Sequence, residues 1–328
     1  MNGEKISVVV PAYNTGRWLN RCLDSLLNQT YESLEVIVVN DGSTDNTRQV
    51  LDAYAGEHPE VKVIHKENGG VTSARLRGVM EAKGDWIGFM DGDDQVEPDM
   101  YERLYENARN AGAEISHCGH QVLFPDGRVE YVHNSGIKKR QDHLTGLRDL
   151  LDGGLVESSL CTKLFRKGLF SGLSDWMDPA IKNNEDLFMN YYLFARAQTA
   201  VYEDFCPYHY ILRAGSASYN QLHEHSLFDP IQVRQKILEA CEPDMKEAAR
   251  AALMRNCLFA YGQLSLNLDR RYDAFRNRVR RLLQEQREFF PMLSRRNWVL
   301  AKMICTAPWS FHIAYRLYVK CFQREEQH

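Results

Sequence analysis

Asp91, Gly92, Asp93 and Asp94 follow directly on an apolar run, Trp86-Ile87-Gly88-Phe89-Met90. Such a run reads as a strand buried on both faces, and ligands of open α/β sheets gather beyond the carboxyl ends of their strands. Fixed carboxylates delivered to that place suit a divalent metal. A calcium loop is excluded: counting from Asp91, the fifth position is Gln95 and the sixth is Val96, where that loop needs an oxygen ligand and a turn glycine. An aspartate-nucleophile phosphatase carries its acids after the first strand of the catalytic domain, and these acids come only after residue 90. A second acidic pair, Glu185-Asp186, precedes Leu187, Tyr191 and Phe194 at helical spacing and therefore opens a helix. The helix dipole alone favours acids in a first turn, so a structural role and a chemical one both stay open for that pair.

The elements that must position these acids alternate. Ile6 to Val10 is a β-branched strand ending in Pro11-Ala12-Tyr13-Asn14, and Leu19, Cys22, Leu23, Leu26 and Leu27 then mark one face of a helix. Leu34 to Val39 runs into Asn40-Asp41-Gly42-Ser43-Thr44-Asp45 and a helix through about Tyr54, and a third strand covers Val61 to Ile64. Strand, loop and helix in repetition predict right-handed crossovers and a mainly parallel sheet with helices on both faces. The loops after Val10 and Val39 then share a sheet edge with Asp91, the outline of a nucleotide pocket. Neither loop has the glycine pattern of a dinucleotide or P-loop site, so phosphates must be neutralised otherwise, as a metal on Asp91 and Asp93 would do. Read as residues alone, Asp41 is equally a turn former, Arg75 a partner for a surface acid, and Tyr13 a packing residue.

Four segments in order resemble the signatures of the family 2 glycosyltransferases of the GT-A fold: Val8-Val9-Val10-Pro11-Ala12-Tyr13-Asn14, Val39-Asn40-Asp41-Gly42-Ser43-Thr44-Asp45, Asn68-Gly69-Gly70 with Ser73-Ala74-Arg75, and Phe89-Met90-Asp91-Gly92-Asp93-Asp94. The match spans roughly residues 5 to 216, with Cys161-Thr162-Lys163-Leu164-Phe165 and Asn184-Glu185-Asp186-Leu187-Phe188 also in it. The resemblance implies an α/β GT-A fold, Rossmann-like. It implies an inverting, metal-dependent transfer of a hexose from a nucleotide sugar, most often UDP-linked, to a hydroxyl of a glycan or lipid-linked acceptor. Pro11, Ala12, Tyr13, Asn14, Asp41 and Arg75 would hold uracil and ribose, with Asp91 and Gly92 completing the donor site. Asp91 and Asp93 would bind Mn2+ or Mg2+, joined by His209 as the late histidine of many GT-A enzymes. Asp186 would be the general base, with Glu185 orienting base or acceptor. The family usually has Asn after the Ala-Arg pair, and here Leu76 follows Arg75, which puts the local contacts of that loop in doubt. Lys163 matches a family lysine but is expected to be solvated on a strand edge, outside the catalytic set. A nucleotidyltransferase and a catalytically silent nucleotide-sugar-binding protein stand as alternatives.

At 328 residues and 44% hydrophobic content, the chain can bury one sizeable core and a smaller attachment. We expect a catalytic domain over residues 1–220 and a helical, basic region over 221–328. Eight cysteines without a C-x-x-C pair, and a start that leads straight into a strand with no signal sequence, suit a reduced cytoplasmic chain, peripheral at most on the inner face of the cell membrane. His117, Cys118 and His120 are no zinc site, since alternation along a strand separates neighbours. Residues 269–328 carry 13 Lys or Arg against 6 Asp or Glu, a charge of +7, within a chain of net charge −4. An anionic membrane surface is the expected partner of this tail, on an apolar stripe of Phe275, Val279, Leu282 and Leu283 and on Phe311, Tyr315, Tyr318 and Phe322; packing or homo-oligomer contacts are the other reading. Nucleic acid is not expected, and Lys302, Pro308, His312 and Arg316 interrupt the tail well short of the roughly twenty apolar residues a bilayer crossing needs.

Overall fold

The computed structural model describes residues 3–213, 224–266 and 269–325. The Ala214-Gly215-Ser216 end of the expected match falls outside them. By its contacts the chain divides into a unit of residues 1–222 and a unit of residues 223–328.

In the first unit the strands are β1 (Ile6–Ala12), β2 (Leu34–Asp41), β3 (Val61–Lys66), β4 (Trp86–Phe89), β5 (Gln95–Val96), β6 (Ile115–Leu123), β7 (Val129–Val132), β8 (Lys138–Asp142), β9 (Lys163–Arg166) and β10 (Thr199–Ile211). The helices are α1 (Leu19–Leu27), α2 (Thr47–Glu57), α3 (Val71–Glu81), α4 (Met100–Ala111), α5 (His143–Asp152), α6 (Leu173–Trp176) and α7 (Glu185–Phe194). The sheet runs β3-β2-β1-β4-β9-β6-β10-β5, with β7 on β6 and β8 on β10. The β3-β2-β1-β4 part is wholly parallel, as the alternating strands and helices require. Beyond it the sheet is mixed, because β9 enters antiparallel to both β4 and β6 while β6 and β10 run parallel to each other.

This topology gathers the site on one edge. Ala12 pairs with Asn40, Asp41 with Lys66 and Val9 with Phe89, so the loops after β1, β2, β3 and β4 emerge side by side. β10 runs in the same sense as β4, since β9 reverses the direction once and β6 reverses it again. Its C-terminal residues therefore reach the same edge, and the antiparallel β9 begins there. A register shift between Glu203 and Tyr208 marks a bulge in β10, the usual device for re-aiming side chains beside a site. The apolar faces pack as periodicity dictates: Val8, Val9, Val10, Val36, Ile37 and Phe89 are fully buried, as are Leu19, Cys22 and Leu23 of α1. α3 lies directly on the sheet, since a Cβ on Gly78 would overlap the Val9 side chain, and Arg75 sits one turn before that contact.

Lys163 corrects an expectation. It is fully buried on the inner strand β9, where Nζ donates to the carbonyls of Glu157 (2.7 Å) and Ser159. Burial pushes it down to about 8, against the pull of Glu157 and of more distant acids including Asp186. A lysine in the middle of a sheet can stay only where its donors are used, and here they clamp the loop of residues 157–159. Lys163→Met keeps much of the volume and orphans two carbonyls, so stability should fall by about 1–3 kcal/mol, read as a lower urea midpoint, with faster proteolysis within residues 157–159.

The second unit is helical: α8 (Glu224–Ala240), α9 (Lys246–Leu266), α10 (Asp273–Glu285), α11 (Arg295–Thr306) and α12 (Pro308–Glu325). Phe275, Val279 and Leu283 of α10 are buried, with the Phe275 ring 4.1 Å from that of Phe228. Three of the stripe's four residues are therefore core of the unit and are not presented to a surface, while Leu282 is half-buried. Phe311 is buried too, Tyr318 is exposed, and the Phe322 side chain lies outside the described residues. Among the described residues no helix is long and apolar enough to cross a membrane.

Candidate active site

The loops after β1 and β2 are stitched together by polar side chains. Ser43 Oγ accepts from the Asn14 N–H at 3.0 Å, and Asn14 Oδ1 accepts from the Thr44 N–H at 2.8 Å. Asn14 sits in the left-handed region with φ 53°, a conformation asparagine tolerates better than most residues. Asp45 accepts from the N–H groups of Gly16 and Thr47, and these bonds outweigh its burial and lower its pKa. Ala12 is buried and Tyr13 is exposed, so Tyr13 presents a ring at the edge and is not a packing residue.

Asp41 is buried beneath the loop of residues 68–70. Its oxygens accept from the Gly69 and Gly70 N–H groups at 2.9 and 2.7 Å and pair with Lys66. Gly42 and Gly70 have φ values of 71° and 85°, where a side chain is strained. Asp41 thus sets the shape of this loop and of the N-terminus of α3.

Arg75 joins the two acidic motifs. It is 3% exposed, and its Nη2 and Nη1 reach Asp91 Oδ1 and Glu185 Oε1, each at 3.1 Å. Burial lowers its pKa; Asp91, Asp186 and Glu185 more than offset this and raise it. Asp91 follows β4, Arg75 lies on α3, and Glu185 and Asp186 open α7 behind Asn184, whose φ is 63°. The surface-pair reading of Arg75 is thereby replaced by a buried bridge. Asp91 and Asp186 line the same polar cavity of about 310 Å³, together with His120, Glu157, Tyr208 and Tyr210.

Glu185 is pushed up to about 8 by burial and then by Asp186, with Arg75 acting against them. A carboxyl whose folded pKa exceeds its ordinary 4.5 gives stability that is complete below 4.5 and is lost as pH rises through about 8. Asp94 adds to the same trend. Glu185→Gln keeps the shape without the titration, so its melting temperature should fall less than the wild type's between about pH 5 and about pH 8.5, as scanning fluorimetry across buffers would read.

The aspartates after β4 divide their work. Asp94 turns inward, where its oxygens accept from Tyr208 Oη (2.6 Å) and the Ile211 N–H (2.9 Å). Burial, then Asp91 and Asp93, pushes it up to about 8. Asp93 Oδ2 pairs with Arg213, whose guanidinium lies 4.2 Å from the centre of the Trp18 ring. Burial is the first cause of the raised pKa of Asp93, opposed by Arg213. A Cβ on Gly92 would come to 3.2 Å from the Pro11 carbonyl and 3.3 Å from Thr15 Oγ1, so glycine lets the loop lie tight on the one after β1.

His209 does not join this set. Its neighbour Tyr208 points to Asp94, and alternation along β10 carries the imidazole to the other face, where Nε2 meets Glu97 Oε1 at 2.7 Å. Of the three residues rejected as a zinc site, His117 bonds Gln141 at 2.7 Å, with burial pushing its pKa down to about 3, and Cys118 donates to the Thr162 carbonyl. Among the described residues no three His, Cys, Asp or Glu side chains cluster as metal ligands. Leu76 lines a second cavity, about 590 Å³ in volume, with Met80, Met177, Pro179 and Ile181.

Sequence reasoning missed Arg213, Tyr208, Lys66, His120 and Glu157. Period-two alternation could have found Tyr208 and Tyr210 from His209. His120 and Glu157 depend on how β6 and a loop meet across the sheet, which no local pattern records. His120 Nδ1 is buried without a partner, and burial lowers the pKa of the ring.

Residues 7–173 match the glycosyl transferase family 2. Glycosyltransferase GlyA of Streptococcus pneumoniae serotype 4 is 30% identical over 297 residues, 87% of this chain and 42% of that protein. Hyaluronan synthase of Pasteurella multocida is 48% identical over 125 residues, 38% of this chain and 13% of that one. The chain thus spans less than half the length of these curated relatives. The crystal structure of S. aureus TarS 1–349 in complex with UDP-GlcNAc superposes with a TM-score of 0.71 at 20% identity, covering 98% of this chain and 92% of that one, a likeness that establishes the GT-A fold. With four ordered motifs converging on one sheet edge and the family matching half of its length, this chain belongs to the family 2 glycosyltransferases.

Proposed function

We propose that the protein transfers a hexose from a UDP-sugar to a hydroxyl of a glycan or lipid-linked acceptor, with inversion at the anomeric carbon. The observation that carries this is the shared cavity, whose lining includes both Asp91 and Asp186, with Arg75 bridging Asp91 to Glu185. This supports a reading in which the donor and the acceptor hydroxyl share one polar space. The UDP-GlcNAc bound to TarS supports a UDP-linked donor, and the name of the hyaluronan synthase supports a role in polysaccharide assembly. Buried, unpaired cysteines among the described residues suit a reducing compartment.

Asp186 accepts the proton of the acceptor hydroxyl as its oxygen attacks the anomeric carbon from the face opposite the leaving UDP. An α-linked donor then gives a β-linked product. Glu185, bonded to Arg75 and next to Asp186 in the chain, holds the two in register. Tyr13 offers a stacking surface to the base, and Asp41 fixes the loop that walls its pocket.

The acids after β4 fit a divalent ion. Asp91 is engaged through Oδ1 and Asp93 through Oδ2, and among the described residues the second oxygen of each has no side-chain partner. Two hard oxygens with further positions open match the way Mg2+ or Mn2+ is held between carboxylates and substrate phosphates. When bound, the ion supplies charge stabilisation to the departing diphosphate. A thermal-shift panel of nucleotide sugars with manganese tests the reading. A UDP-hexose should raise the melting temperature and GDP- or CMP-sugars should not, because a ligand stabilises only the state that binds it. Stabilisation by nucleoside triphosphates alone would instead favour a nucleotidyltransferase.

A further inference from the structure

On α12, Trp309, Ile313 and Leu317 are 69, 54 and 59% exposed. A spacing of four residues places them along one helix face. The opposite face is already used within the helical unit, where Phe311 is buried and the Tyr315 ring lies where a Cβ on Gly262 would be; at the side of the row His312 meets Ser265 Oγ at 2.7 Å and Arg316 donates to the Ser265 carbonyl at 2.9 Å. Scattered apolar residues on a surface need no explanation, but a continuous row of large ones does.

The surrounding charge selects the occupant. From residue 289 to residue 324 the chain has no Asp or Glu and six Lys or Arg. Arg296 of α11 lies 5.3 Å from the centre of the Tyr318 ring, which places part of that charge beside α12, and Val299 one turn on is exposed. Lys302 and Lys320 are exposed as well. A second copy of this face would bring cations against cations with no acid in the segment to offset them. A protein partner would need an acidic rim around an apolar groove. An anionic bilayer offers both properties everywhere: headgroups that attract Lys and Arg, and an acyl boundary that takes Trp, Ile and Leu.

We propose that α12, flanked by α11, is an in-plane membrane-docking face specific for anionic phospholipid, with Trp309, Ile313 and Leu317 as the inserted row. This differs in its residues from the stripe on α10, which the unit consumes in its own core, and it stands independently of the donor and acceptor reading.

Flotation of the full chain with phosphatidylcholine/phosphatidylglycerol vesicles tests it. Wild-type protein should rise with the vesicles at low salt and rise less at high salt or with neutral vesicles. The Trp309→Ser/Ile313→Ser/Leu317→Ser variant should lose about tenfold or more in vesicle partitioning, with an unchanged circular dichroism spectrum. Should that variant fail to fold, the charge reversal Arg296→Glu/Lys302→Glu/Lys320→Glu, which touches no buried apolar residue, should lose flotation equally. Wild-type protein that stays in solution, or variants that float as well as it does, would overturn the proposal. Self-association through this face without flotation would overturn it as well, in favour of a second copy.

Discussion

Asp186→Asn should lower turnover by about a hundredfold or more while donor affinity stays close to the wild-type value. The amide keeps the size and most hydrogen bonds of the carboxylate and loses only its ability to take a proton. Asp186 lies in the cavity while Glu185 beside it bonds Arg75, so the substitution leaves the buried bridge intact. Steady-state kinetics with a fixed acceptor, together with isothermal titration of the donor, separates the outcomes. A variant that turns over normally at saturation but binds UDP-sugar poorly would move Asp186 from base to donor site.

Removing Asp93 should be equally severe by another route. Asp93→Ala, like excess EDTA, should reduce transfer by about a thousandfold, because several kcal/mol of charge stabilisation on the leaving diphosphate goes with the ion. The fold should survive, since Asp93 supplies an ion pair to Arg213 and no apolar packing, and its removal also takes away a carboxylate whose burial disfavours its charge. Manganese should sharpen UDP-sugar binding to the wild type in a calorimeter and make no difference to the variant. Full activity in EDTA would remove the metal from the reaction.

Much of the catalytic unit was legible because its signals are local. β-branched runs ending in Pro11-Ala12-Tyr13-Asn14 and in Asn40-Asp41 must be parallel strands when helices intervene, and parallel strands put their loops on one edge. The acids after Met90 and at the start of α7 could be placed on elements from spacing alone. That Arg75 would bridge them was not legible, because a guanidinium buried between α3, the loop after β4 and α7 depends on packing between segments 110 residues apart. Lys163 was misplaced for the same reason. β9 joins the sheet antiparallel and becomes an inner strand, and nothing in Lys163-Leu164-Phe165 distinguishes an inner strand from an edge. His209 came from the resemblance, as the late histidine of many GT-A enzymes; β10 does bring it beside Gln95, but alternation turns Tyr208 to Asp94 and His209 to Glu97. On α10 the amphipathic pattern of Phe275, Val279 and Leu283 was read correctly as a helix, but a pattern cannot say whether its apolar face meets protein or lipid.

The most direct test of the central claim follows the UDP-sugar itself. With manganese and an α-linked UDP-hexose that stabilises the protein, proton NMR should show UDP released in step with a first-formed sugar product whose anomeric coupling is β, before any mutarotation. Retention of the α configuration, or binding of the donor with no UDP released in the presence of acceptor, would contradict the account.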